Sequence, residues 1–177
     1  MSNKLVKDLK INPIFKSVFG SDSYESNEAL RLLIQSFLKR DVDQVILIHN
    51  EPLVGIINEK QIRMDILAKL KDGTKVNVEM QTYRQNEDLP VRMLYYISRL
   101  FVQQKMKGRF YEDIHQSHMI LFVGKNIFED NRVYHHFQFH EDHGERLEKK
   151  EAKMQIHVVE MARADTVDMQ DCDAISK

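Results

Sequence analysis

The chain has 177 residues, enough for one domain with a substantial buried core. Its 26 Lys and Arg stand against 27 Asp and Glu, so no global field draws it to nucleic acid and any such binding rests on a local basic patch. The single cysteine, Cys172, excludes an internal disulfide, and nothing resembles a signal peptide or a membrane span, so the expected setting is the reducing cytoplasm.

A polar start leads to Pro13 and the short aromatic run Phe15-Lys16-Ser17-Val18-Phe19-Gly20. Ser26 then reads as the N-cap of a helix with Leu30, Leu33, Ile34, Phe37 and Leu38 on one core-facing stripe. Val45-Ile46-Leu47-Ile48 is a short β-rich run, closed by Glu51-Pro52.

Residues 62–81 read as a hairpin. Two runs of period two flank Lys71-Asp72-Gly73, and Asp-Gly is a strong turn signal. A two-residue turn would set Asp65 against Met80 and mix apolar with polar rows. A three-residue loop, with Gly73 left-handed in a G1 bulge, instead pairs Leu70 with Thr74. Met64, Ile66 and Ala68 then oppose Met80, Val78 and Val76, while Asp65 opposes Glu79 and Arg63 opposes Gln81. The apolar pattern selects this register, because a slip of one residue would turn the buried set to solvent. Two carboxylates become cross-strand neighbours, an arrangement that a hard divalent cation with oxygen ligands would offset. The alternative is a solvated polar face with Lys69, Lys75 and Arg63 beside the acids.

Asp88 caps a second predicted helix with Pro90 in its first turn and an apolar stripe of Leu94, Ile97, Leu100 and Phe101, ending near Gly108. Arg92, Tyr96 and Arg99 share one face of that helix, turned either to a DNA backbone or to the acidic pair, or else to solvent with Tyr96 at the core boundary. Met119-Ile120-Leu121-Phe122-Val123 is a strand buried on both faces. The following segment holds His135, His136, His140 and His143. It reads as a polar insertion, or as a zinc site with His136 and His140 one helical turn apart, although no Cys and no His-Glu-x-x-His pattern accompanies them. Gln155-Ile156-His157-Val158-Val159-Glu160 is a last strand-like run before an acidic tail. The expected organisation is a single α/β domain over 1–165, with a mixed sheet, and a tail at 166–177.

The spacing of Asp65 and Glu79-Met80-Gln81 on a hairpin between helices resembles the PD-(D/E)XK nuclease superfamily. The closer likeness is to PD-(D/E)XK nuclease family transposases, the recombination-promoting nucleases. It is carried by Phe15 to Gly20, Arg63-Met64-Asp65-Ile66, Val78-Glu79-Met80-Gln81, Arg92-Met93-Leu94-Tyr95-Tyr96, Gly108-Arg109-Phe110-Tyr111 and Ile156-His157-Val158-Val159-Glu160. The resemblance implies a restriction-endonuclease-like core, a mixed central sheet flanked by helices, and Mg²⁺-dependent cleavage of DNA phosphodiesters, with Mn²⁺ able to substitute. By it, Asp65 and Glu79 would bind the metal with the Met80 carbonyl, and Gln81 would stand where the superfamily has lysine. Glu28 would be a third carboxylate or, more simply, an acid placed well for the helix dipole. Lys60, Arg63, Arg92, Tyr96 and Arg99 are the candidate DNA contacts, and cutting both strands makes a homodimer plausible. No proline precedes Asp65 in the motif, and Gln81 can orient water or a phosphate oxygen but cannot act as a cation. The other reading is a catalytically weak or inactive member that serves as a DNA-binding or oligomeric interaction module.

Overall fold

The computed structural model describes residues 12–48, 64–81, 88–104, 108 and 110–164. In chain order the elements are α1 (Asn12–Phe19), α2 (Tyr24–Leu38), β1 (Val45–Leu47), β2 (Ile66–Leu70), β3 (Lys75–Gln81), α3 (Leu89–Val102), β4 (Ser117–Val123), β5 (Tyr134–Phe137), β6 (Met154–Glu160) and the short α4 (Met161–Ala164). They build one mixed sheet in the order β1-β2-β3-β4-β6-β5. The three central strands, β3, β4 and β6, run parallel, and the remaining pairs are antiparallel. This is the mixed sheet with flanking helices expected of a restriction-endonuclease-like α/β fold. Among the described residues no helix is long and apolar enough to cross a membrane.

The hairpin adopts the bulged register. Ile66 pairs with Val78 and Ala68 with Val76, and the Leu70 N–H donates to the Thr74 carbonyl at 2.8 Å. Gly73 has φ +90°, a conformation that costs little without a side chain. The position is crowded as well, since a Cβ there would lie 2.6 Å from the His115 ring.

Each face of the sheet carries its own core. On one, Phe15, Leu30 and Ile34 of α1 and α2 pack on Ile66, Ala68, Val76, Val78, Met80 and Ile120. On the other, Met93, Ile97 and Leu100 of α3 pack on Leu67, Met119, Leu121, Ile156 and Val158. The row containing Asp65, Leu67, Asn77 and Glu79 is therefore no solvated face. Leu67, Asn77 and Glu79 are buried on the face that α3 covers, Asp65, Lys75 and Gln81 are partly buried, and among the described residues of the row Lys69 is the exposed one. Helix α3, packed on the second face, bridges the parallel strands β3 and β4 in a βαβ crossover.

Local chemistry corrects three expectations and part of a fourth. Ser23, not Ser26, caps α2: its hydroxyl accepts from the Ser26 N–H, while Ser26 is buried and accepts from the Ser21 N–H. Met93 rather than Leu94 faces the core from α3, with Leu94 52% exposed. That helix ends at Val102, well before Gly108, because the Gln104 amide clamps both backbone groups of His115, at 2.8 and 2.9 Å, and directs the chain into β4. The front of the histidine-rich segment, Tyr134–Phe137, forms β5, an antiparallel edge strand on β6, while residues 138–151, with His140 and His143, stay largely exposed as the expected polar insertion.

Candidate functional site

Glu79 and Gln81 lie near the end of β3, on the face of the sheet that α3 covers, with Arg92 of α3 beside Glu79, while α1 packs on the opposite face. Helix α1 is brought close by Gly20, whose N–H bonds the Lys16 carbonyl at 2.8 Å. A Cβ on Gly20 would meet that carbonyl at 2.9 Å and the Ile66 side chain at 3.3 Å. The close approach lets Lys16 reach Asp65, immediately before β2, with Nζ 2.8 Å from Oδ1. The other oxygen of Asp65 accepts from the Met80 N–H at 3.3 Å, which ties the acid to the backbone of β3.

Glu79 is 1% exposed. Asn77 donates to its Oε1 at 3.1 Å, Gln81 donates to its Oε2 at 3.4 Å, and the Arg92 guanidinium stands 3.6 Å from Oε2. These partners do not make up for the lost hydration. Burial pushes the Glu79 carboxyl up to about 7, and the nearby charge of Asp65 adds to the rise against the opposing pull of Asn77, Arg92 and Gln81. Arg92 is further held over the Tyr96 ring, 4.8 Å from its centroid.

The structure thus gathers Asp65, Glu79, Met80, Gln81, Arg92 and Tyr96 of the predicted site. Arg92 turns inward to the acidic pair rather than outward to a phosphate. Arg99 is half-buried further along α3. Lys60 and Arg63 lie outside the described residues. Glu28 stays apart from the pair, held by Arg31 at 2.6 and 2.8 Å on α2. The zinc geometry is absent too: His136 sits in a strand and bonds Gln155, and His140 bonds the Gly144 carbonyl, so no helical turn aligns them. Among the described residues no group of three or more His, Cys, Asp or Glu is placed to hold a metal.

Two members of the site escape sequence reasoning. Lys16 lies 49 positions before Asp65, and no periodicity links them. Asn77 sits among apolar neighbours on β3, and only its place two residues before Glu79, on the same face, hints at its role.

The model for PD-(D/E)XK nuclease family transposases matches residues 10–177. The chain belongs to this family. No curated protein and no solved structure matches it significantly. Membership supports a function of the nuclease or transposase type, a class whose nucleases use divalent metals and act on DNA. For a PD-(D/E)XK member the glutamine at position 81 is notable. The side-chain cation seen on Asp65 among the described residues comes from α1, as Lys16.

Proposed function

We propose that this PD-(D/E)XK protein is a Mg²⁺-dependent DNA endonuclease whose site is built from Asp65, Glu79, the Met80 carbonyl, Gln81 and Lys16. The observation that carries the reading is Glu79, a carboxylate buried at a strand end beside a second acid with too little positive charge around it. An all-oxygen donor set of two carboxylates and a carbonyl suits a hard cation. Asp65, Glu79 and the Met80 carbonyl would hold the ion. When bound, Mg²⁺ neutralises charge on the scissile phosphate and acidifies water.

The chain's own residues do the rest. Hydrolysis exchanges one P–O ester bond for a P–OH, and negative charge grows on the phosphoryl oxygens as water attacks. Lys16, a flexible ammonium on the rim of the site, is placed to meet that charge, which is the part Gln81 cannot play. Gln81 has an amide for orienting water or a phosphate oxygen, and its N–H already points at Glu79. Arg92, braced on Tyr96, holds the Glu79 carboxylate in one rotamer. DNA is the substrate, and the chain acts in the cytoplasm, as a homodimer where both strands are cut.

Nicking of supercoiled plasmid by pure protein, with Mg²⁺ and with chelator, tests the activity, and Lys16 variants test the assignment of roles. Lys16→Met should cleave about 100-fold more slowly, the size of effect seen when one preorganised charge-stabilising donor is lost. It should bind Mn²⁺ at least as tightly as the parent, since a competitor for Asp65 is gone. Lys16→Arg should keep most of the activity. Unchanged cleavage in Lys16→Met would reduce the Lys16–Asp65 pair to a surface ion pair.

A further inference from the structure

On the opposite face of the sheet from Glu79, toward the starts of β4 and β6, a chain of hydrogen bonds ends without an acceptor. The Tyr134 hydroxyl lies 2.7 Å from His157 Nδ1, and His157 Nε2 lies 3.2 Å from His118 Nδ1. His118 and His157 are 2% and 1% exposed, and burial holds both imidazoles well below their usual range, so each ring carries one proton. If Tyr134 donates to His157, then His157 donates to His118, and His118 is left with an N–H at Nε2. That atom is buried and has no hydrogen-bond partner among the described residues.

The reverse direction would leave a lone pair there instead. The largest charge acting on this ring is Arg40, a guanidinium with donors to spare. It donates to Asp72 and Thr74 and not to His118, as expected if both groups are donors. A buried donor without an acceptor costs about 1–3 kcal/mol, which makes an acceptor from outside the chain the simplest explanation.

His118 lines a cavity of about 330 Å³, within the range of small-ligand sites at about 300–1,000 Å³. Lys39, Arg40 and Arg146 line it too, against the single acid Glu151. Asp72 takes up part of the Arg40 charge. The carbonyl end of α2 brings negative potential, but its C-cap is Lys39 itself, in the left-handed conformation at φ 51°. Aromatic rings of Phe37 and Tyr134 form part of the wall.

We propose that this cavity binds a phosphate group, carried by inorganic phosphate or by a nucleotide, at a site separate from the Asp65–Glu79 pair. The phosphate accepts from His118 Nε2 and sits among Lys39, Arg40 and Arg146. If a nucleoside is attached, it extends along Tyr134.

Histidine-selective ¹H–¹⁵N NMR of the whole chain tests this with inorganic phosphate, a nucleoside 5′-monophosphate and sulfate-free buffer as the blank. Saturable movement of the His118 Nε2 resonance at millimolar phosphate is expected. The exposed substitution Lys39→Glu should weaken it at least tenfold without unfolding the chain, and Asp65→Ala should leave it unchanged. Tighter binding of the monophosphate would assign the site to nucleotides, and equal binding would assign it to the phosphate group alone. A His118 signal that stays still, or a shift that survives Lys39→Glu, would overturn the proposal. Loss of the effect in Asp65→Ala would place the anion at the acidic pair instead and would equally overturn it.

Discussion

Asp65→Ala and Glu79→Ala are each expected to lower Mg²⁺-dependent nicking of plasmid DNA by about 1,000-fold, or about 4 kcal/mol of transition-state stabilisation. On the proposed reading each removes half of a two-carboxylate ligand set, and the two should not be additive, because one acid alone would leave too few oxygens to hold the ion. The side effects differ. Asp65→Ala frees Lys16 and removes the acceptor from the Met80 N–H. Glu79→Ala opens a void beneath α3 and leaves Arg92 and Asn77 without their acid. Thermal unfolding alongside the nicking assay separates loss of chemistry from loss of fold. Equal residual cleavage in both variants would mean a contaminating nuclease, and the family's binding-module alternative would then stand.

The second large effect is on stability, through the same buried acid. The Glu79 carboxyl is raised in the folded chain to about 7 from an ordinary 4.5. Between those values the folded state holds a proton that the unfolded state has released, so stability falls as pH rises through that window. The full loss is about 3 kcal/mol by pH 8 in chelator. Acids whose carboxyls are lowered, Asp72, Asp130 and Glu160, act with the opposite sign and at lower pH. The difference between the parent and Glu79→Gln isolates the single group. Urea titrations at pH 5 and pH 8 should show the parent weakening relative to Glu79→Gln. Millimolar Mg²⁺ should restore the parent at pH 8 and do nothing for the variant. An identical pH response in both proteins would contradict the buried charge.

The hairpin was legible because two signals agreed. The alternation in residues 64–70 and 74–81 and the Asp72-Gly73 turn select one register, and the ladder observed, Ile66 with Val78 and Ala68 with Val76, is that register. The strand at Met119–Val123 and the Asp88 cap, with its side chain accepting from the Val91 N–H, followed from equally local chemistry. Burial of the polar row was not local. It depends on α3 folding back over Leu67 and Glu79, and no alternation within the hairpin reports what another element covers. Strand β5 was hidden because Tyr134-His135-His136-Phe137 lacks an apolar alternation and owes its conformation to the β6 edge. Lys16 stayed hidden because the approach of α1 to β2 rests on Gly20, whose missing side chain signals nothing until a neighbour is known. The resemblance reached the family, the hairpin register placed Asp65 near Glu79, and the Lys16–Asp65 ion pair is visible only in the fold.

Diffraction from crystals soaked in Mn²⁺, recorded to show anomalous scattering, reports whether Asp65 and Glu79 together hold a divalent ion. One strong peak is expected between the carboxylates of Asp65 and Glu79, within reach of the Met80 carbonyl, with Lys16 displaced from Asp65. A map without a peak there, with Lys16 still seated on Asp65 and Glu79 still bonded to Asn77, would contradict the proposed metal site.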